Sequence, residues 1–397
     1  MKKIILFSIV FMSLISIVNA QWQQTILDSE SINCIAISGS NIFAGSNGNA
    51  GDAGVYLSTD NGNSWTAKGL TSCGANALAI SGSNIFAGSG CGVYMSQNNG
   101  SSWVAVNNGL PAYSNITALA ISGSYLFAGT YSGGVYFSTD NGSNWVAVNN
   151  GLPASIGVTA LAISGINIFA GIYNHNTTNT GGTYLSSNNG QLWSVSDTCD
   201  GVEALAISGS NILAGFAGTH NGVLMSSNNG NSWASMNAGL TITDVYDLAT
   251  KGDTIFAGTS GGVYFSTNNG SSSWSEVCSS VADTITCLSL AVNGSYIFAG
   301  TPYSGVWRMP LFSLGIEALK SNESNIVVYP NPVIRNLTIV APQKAIIDIL
   351  NVEGQSIKTF TITDSKKTID LDGLSCGVYI IKATTDKGVV IKKFIKE

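Results

Sequence analysis

Residues 77–88 read ALAISGSNIFAG, and the phrase keeps coming back. CIAISGSNIFAG ends at Gly45, ALAISGSYLFAG at Gly129, ALAISGINIFAG at Gly171 and ALAISGSNILAG at Gly215. Two diverged copies, DLATKGDTIFAG and SLAVNGSYIFAG, end at Gly258 and Gly300. Successive copies are 43, 41, 42, 44, 43 and 42 residues apart. Each phrase is a pair of short apolar runs about a Ser-Gly turn, which reads as a hairpin. A third run (Val93–Ser96 in the second unit) and a fourth (Trp103–Val106) complete each unit. Four short strands at a period in the low forties are the mark of a β-propeller with one sheet per repeat.

A second phrase is locked to the first. It occurs as STDNGNSW from 58, SQNNGSSW from 96, STDNGSNW from 138, SSNNGQLW from 186 and SSNNGNSW from 226, with STNNGSSSW from 266 one residue longer. Asn-Gly supplies left-handed backbone for a turn. The closing Trp (65, 103, 145, 193, 233, 274) carries a large ring that anchors a hairpin between sheets. The third residue is Asp at 60 and 140 but Asn at 98, 188, 228 and 268. An amide oxygen accepts N–H bonds as a carboxylate does, whereas a general acid or a calcium ligand tolerates no such exchange. The phrase is a building part.

There are seven hairpin phrases and six turn phrases. Trp22 precedes Ala36 by fourteen residues, as Trp65 precedes Ala79. The stretch WQQTIL from Trp22 is therefore expected to be the outer strand of the last unit. The expected fold is all-β: a seven-bladed propeller over residues 21–312, closed by the mature N-terminal strand, then a linker over 313–325 and a small β-sandwich over 326–397.

The turn phrase resembles the Asp-box, or BNR repeat, of secreted propellers that include sialidases, endoglucanases and sortilin-type receptors. In that family the box lies on the face away from the ligand. The sialidases grip a substrate carboxylate with three arginines, and this propeller has only Arg308. The xyloglucan-cleaving relatives set their acids between two propellers, and this chain has one. No G-x-S-x-G elbow occurs, since GTSGG at 258–262 falls between two expected strands and opens no helix, and there is no H-E-x-x-H or P-loop. The chain is therefore read as a non-catalytic binder of carbohydrate or protein. A glycoside hydrolase and a structural or adhesion protein are the alternatives.

Candidate ligand residues come from the loops opposite the boxes. Tyr131, Tyr173, Phe216 and Tyr303 follow the FAG phrases, and Tyr113 and Tyr246 lie between units. Aromatic rings on a neutral polar surface suit sugar faces. Asp200, Glu203, Asp244 and Asp247 enter neighbouring units, where they suit Ca²⁺ or an acid–base pair, though no cofactor is required. His175 and His220 lack a third metal ligand. Of seven cysteines, Cys73 and Cys91 fall in loops of one unit, and Cys34, Cys287 and Cys278 lie about the closure. These are the disulfide candidates.

The ends carry addresses. Lys2-Lys3, the apolar run ILFSIVFMSLISIV and Val18-Asn19-Ala20 read as a signal peptide over residues 1–20, with no transmembrane span in the mature chain. Residues 21–319 hold three basic and fourteen acidic side chains, a balance of −11, which disfavours nucleic acid. Residues 320–397 hold eleven and eight, or +3. There, Tyr329-Pro330-Asn331-Pro332, the phrase LSCGVY with Gly377 and Tyr379, and the terminal Lys392-Lys393-Phe394 resemble the type A sorting domain of the type IX secretion system of Bacteroidetes-like bacteria. The resemblance implies engagement of that machinery and a secreted or surface-attached product.

Overall fold

The computed structural model describes residues 22–27, 30–47, 53–174, 181–199, 201–218, 222–277, 286–311, 326–331, 333–341, 344–351, 356–363, 365–375, 377–385 and 388–396. The expected signal peptide and linker, together with Cys278, Asp200, both histidines and Pro332, lie outside them. The chain divides into two compact units, Met1–Ile316 and Glu317–Glu397.

In the first unit the described residues form seven antiparallel four-stranded sheets. Their first strands are Ile32–Ser38, Ala77–Ser81, Ile116–Ser122, Ile156–Ser164, Val202–Ser208, Val245–Lys251 and Ser289–Val292. We number the sheets one to seven in that order. Each first strand adjoins that of the next sheet, and the seventh adjoins the first. The FAG phrase forms the second strand, as in Asn84–Ser89, where Ile85, Phe86 and Ala87 are all buried. Sheets one to six are sequential hairpins. In sheet seven, Gln23–Gln24 is the outermost strand, opposite Arg308 and Trp307.

The repeated glycine is fixed by close approach between sheets. A methyl group built on Gly88, Gly129, Gly171, Gly215 or Gly300 would lie 2.5, 2.5, 2.7, 2.7 or 2.6 Å from a branched side chain of the following sheet: Ile116, Val158, Val202, Val245 or Ile32. The branched residue plugs a socket that only hydrogen leaves open. At the two remaining positions sulfur fills it. Cys287 Sγ covers Gly258, and Cys34 Sγ covers Gly45 where sheet two offers only the small Ala75. Cys34 and Cys287 are therefore free thiols over different glycines, not a closure disulfide. Burial pushes the Cys34 thiol up to about 12 and raises that of Cys287 further.

The turn phrases form one hydrogen-bonded device. In the first, Ser58 Oγ accepts the Gly62 N–H at 2.8 Å and donates to Asp60 Oδ1 at 2.8 Å, and Asp60 Oδ1 accepts the Ser64 N–H at 2.9 Å. Asn98, Asn188 and Asn228 accept the N–H of Ser102, Leu192 and Ser232 at the same 2.9 Å. The acceptor thus reaches the N–H four residues on, a longer loop than a two-residue Asx turn. The sixth copy breaks the pattern. Its extra residue makes a 3₁₀ turn at Asn268–Gly270, and Ser266 Oγ instead donates to Ser272 O at 2.6 Å.

The tryptophans of these turns tie sheet to sheet. The indole N–H of Trp103, Trp145 and Trp193 donates to Lys68 O, Val106 O and Val148 O at 2.7, 2.8 and 2.7 Å. Trp233 reaches Ser196 Oγ at 3.0 Å, and Trp274 reaches Met236 O. Trp22 does the same to Val277 O at 3.2 Å, and Trp65 to Thr25 Oγ1 at 3.1 Å. Each bond runs to the outer strand of the preceding sheet or to the residue just after it, so the seven bonds form a circuit that includes the N-terminal segment. Arg308 reinforces the same junction. It donates to Asn61 O and, at 2.8 Å, to Asn63 Oδ1, with its guanidinium 5.3 Å from the Tyr296 ring centroid. Its role is structural.

The second unit has two antiparallel sheets over one buried cluster that includes Leu337, Ile339, Ile347, Ile349, Ile381 and Phe394. Alternation decides the faces: Ala345, Ile347 and Ile349 are buried, and Ile346 between the first two is exposed. Asn331 fastens the expected sorting motif to the last strand, Gly388–Lys396. Its Oδ1 accepts the Ile395 N–H at 2.9 Å, and its Nδ2 donates to Lys393 O at 3.2 Å. Tyr379 stacks on Phe394 at 5.5 Å and donates to Ser375 O at 2.8 Å. Gly377 begins its strand opposite Lys396, and Lys392 and Lys393 lie on the last strand.

The socket predicts a specific failure. Gly129→Ala should destabilise the propeller by about 1–3 kcal/mol through overpacking, lowering its thermal midpoint by several degrees. Adding Val158→Ala should cost less than the sum of the two single changes, since the pair touches. A melting experiment with strictly additive effects would refute the socket.

Candidate ligand site

In an antiparallel four-stranded sheet, the turns between strands one and two and between three and four share one end. The turns between two and three share the other with the connections to the next sheet. The boxes occupy the first end, so the candidate residues gather at the second. That end is built on buried hydroxyls. Ser89, Thr130, Thr259 and Thr301 donate to the carbonyls of Gly92, Gly134, Gly262 and Gly305 at 2.9, 2.9, 2.9 and 3.0 Å. The same oxygens accept the N–H of Cys91, Gly133, Gly261 and Ser304 at 3.1, 2.9, 3.1 and 3.0 Å. Cys91, in one such turn, is disulfide-bonded to Cys73 in the connection leading into its sheet, with Cα atoms 5.7 Å apart.

Past the hydroxyl position several rings reach solvent, Tyr131 and Tyr173 one residue on and Tyr303 two residues on. Tyr131, Tyr173 and Tyr303 are 54, 43 and 86% exposed, and Tyr113 is 89% exposed. Phe216 is different: it is fully buried, in a cluster with Val202 and Ala214. It occupies the hydroxyl position, equivalent to Thr130 and Thr259, and is not a ligand residue. The true counterpart of Tyr131 in sheet five is Ala217. A one-residue offset along a strand moves a side chain to the opposite face.

Of the three described acids, Asp247 stands apart from Glu203 and Asp244. Asp247 lies in the first strand of sheet six, where sheets two to five carry Ala77, Ala118, Ala160 and Ala204. Its carboxylate accepts the Leu248 N–H at 2.8 Å and, across to sheet seven, the Leu290 N–H at 2.6 Å. Burial pushes it up to about 7, although both N–H bonds oppose that rise. It is a clamp between sheets, with no role as an exposed ligand. Asp244 caps a neighbouring turn by accepting the Gly218 N–H at 2.8 Å. Burial also raises the Glu203 carboxyl, and the Tyr246 phenol is raised by burial first and then by the nearby Asp244 and Glu203 carboxylates. Among the described residues no three His, Cys, Asp or Glu side chains gather to hold a metal.

Sequence reasoning missed a polar series at the residue just before the hairpin phrase. Thr117 donates to Val158 O, and Thr159 to Val202 O, each reaching the next sheet. Asn76 Nδ2 donates to Asn115 Oδ1 at 3.1 Å and Ile116 O at 3.2 Å, and Asn76 Oδ1 accepts from Asn47 at 3.3 Å. The signal was present in register: Asn33, Asn76, Thr117, Thr159, Glu203 and Tyr246 align when the repeats are stacked.

The clamp carries a pH signature. The proton binds Asp247 more tightly in the folded chain than in the unfolded one, where the carboxyl titrates near its ordinary 3.8. Its contribution is therefore full at about pH 4 and is lost as pH rises through about 7. The stability advantage of wild type over Asp247→Ala should shrink steadily across that window. Thermal melts at several pH values check it; a constant difference would contradict the buried clamp.

Comparison with known proteins agrees with this geometry. Residues 327–397 match the family described as the secretion system C-terminal sorting domain. No curated protein matches the chain in sequence. Similar solved structures include PorZ, described as an essential bacterial surface component of the type-IX secretion system of Porphyromonas gingivalis. It shares 15% identity at a TM-score of 0.57, over 93% of this chain and 59% of that one. YCF48 from Cyanidioschyzon merolae shares 15% identity at 0.55, over 73% of this chain and 98% of that one. The GH74 xyloglucanase of Xanthomonas campestris shares 14% identity at 0.57, over 94% and 75%. The chain spans only 59% of the length of PorZ and of the extracellular domain of BT4673 from B. thetaiotaomicron. Among the described residues no helix is long and apolar enough to cross a membrane. This chain is a β-propeller that carries a C-terminal sorting domain of the type IX secretion system, and that tail implies export to the cell surface or the medium.

Proposed function

We propose that this is an exported, non-catalytic binding protein. It is made with a signal peptide over residues 1–20 and folds as a seven-bladed propeller closed by its mature N-terminal strand. A C-terminal β-sandwich delivers it through the type IX machinery to the cell surface. The observation that carries the reading is the pairing of a sorting tail with exposed tyrosines, Tyr113, Tyr131, Tyr173 and Tyr303, at the end of the sheets opposite the boxes. Packing does not call for rings that are 43 to 89% exposed, whereas a carbohydrate or protein surface does.

Hydrolysis is the second reading, favoured by one observation. Glu203 has a carboxyl raised by burial beside Asp244 and Tyr246, as a general acid needs. Against it, Asp247, the other acid of that region, is committed to two backbone N–H groups. A Glu203→Gln variant distinguishes the readings only if wild type cleaves a glycan at all, and we expect no cleavage.

Export tests the first reading directly. Removing residues 326–397 should leave a folded propeller in the periplasm and abolish its appearance at the surface and in the medium. Cell fractionation measures this, and undiminished surface display of the truncated chain would end the assignment.

A further inference from the structure

The connections into sheets two to six pass through left-handed backbone. In the connection to sheet four, GLPAS, the turning residue is Ser155 at φ +57°. In the connection to sheet three, GLPAY, it is Tyr113 at φ +58°. A bulky side chain is an outlier in that region, and such outliers gather at ligand sites. The small serine shows that the turn needs no ring, and at 89% exposure Tyr113 gives the core almost nothing.

Three further observations surround it. The N–H of Tyr131, itself 54% exposed, donates to Asn115 O at 2.9 Å, so Tyr131 is held two residues along from Tyr113. The Asn115 amide is pinned through Oδ1 by Asn76, and its Nδ2 has no protein partner among the described residues. From Gly69 to Thr139 the chain contains no Asp, Glu, Lys, Arg or His. The other half of the propeller, around Glu203, Asp244 and Asp253, is acidic.

We infer that the loops at sheet three form a binding site for a neutral, hydroxyl-rich glycan. Tyr113 and Tyr131 stack on sugar faces, and the oriented Asn115 amide donates to a ring hydroxyl. The lack of cations disfavours uronic acids, sialic acids and nucleic acid. A peptide adding as a strand needs an open backbone edge, and here the Tyr131 N–H is already paired. This deepens the proposed function and rests on it.

The test is calorimetric titration of the full chain with neutral hexasaccharides (β-1,4-glucan, β-1,3-glucan and α-1,6-mannan) and with hexagalacturonate. At least one neutral ligand should bind. Tyr113→Ser, which copies the next repeat, and Tyr131→Ser should each weaken binding about tenfold or more, against the control Ile166→Ser, an exposed residue at the box end where most of the other repeats carry Ser. Tyr113→Ser should melt no lower than wild type, so lost binding cannot be laid to unfolding. Binding lost in Tyr303→Ser but kept in Tyr113→Ser and Tyr131→Ser would overturn the site while leaving the binding reading intact. Hexagalacturonate as the sole ligand, or no saccharide bound at millimolar concentration, would overturn the glycan class. Release of reducing ends would instead sink the non-catalytic reading and leave the site standing.

Discussion

The propeller depends on a contact one hydrogen atom wide. Where neighbouring sheets converge, a branched side chain of one sheet rests on the bare Cα of a glycine in the next, with no room for a methyl. Dispersion is steep at such distances, so a void or a clash there is felt at once. The contact recurs at five of the seven glycines, with sulfur in its place at the other two, so it sets the spacing and splay of the sheets together. This explains why AG ends every copy of the hairpin phrase while the residues around it drift. It also explains the two thiols. Cys34 and Cys287 sit where sulfur is the right size to fill the socket.

A socket fixes distance but not direction, and the indole circuit supplies direction at the rim. Each of the first five box turns holds its Trp at the end of a two-sided brace: the Gly N–H goes to a serine hydroxyl, and the Trp N–H goes to the previous sheet. Trp22 joins the circuit without a box of its own. The first residues of the described chain thereby become structural members of its last sheet, buried at Trp22, Thr25 and Leu27. Any leader preceding Gln21 must leave these residues free to dock before the circuit can close.

Much of this was legible because repeats carry their own controls. The exchange of Asp for Asn in the box announced an acceptor role, and Asn98 and Asp140 make the same bonds. The failures have a common physical cause. A strand alternates faces at every residue, so a loop count wrong by one turned the buried Phe216 into a surface ring. Sequence distance also hides which sheet a side chain meets: Cys34 and Cys287 are neighbours in register but lie over glycines of sheets one and six. Asp247 looked like surface chemistry because acids in loops usually are. Its amide partner, Leu290, is 43 residues away and invisible without the fold.

A chain with only 10% charged residues cannot guard its sheet edges with lysine and glutamate, the common defence against edge-to-edge pairing. It uses brevity instead. The outermost strands are two residues long in six sheets, as in Thr66–Ala67 and Val104–Ala105, and four only in sheet four. Each short edge begins right after a Trp and ends within a few residues, leaving too few free N–H and C=O groups to template another chain. The same solution frees the surface to be neutral. An exported protein stabilised by sockets, indole bonds and blunt edges has no need of charge at its loops. Charge-free loops bearing amides and rings offer a sugar the kind of hydrogen-bonding surface that water would otherwise supply.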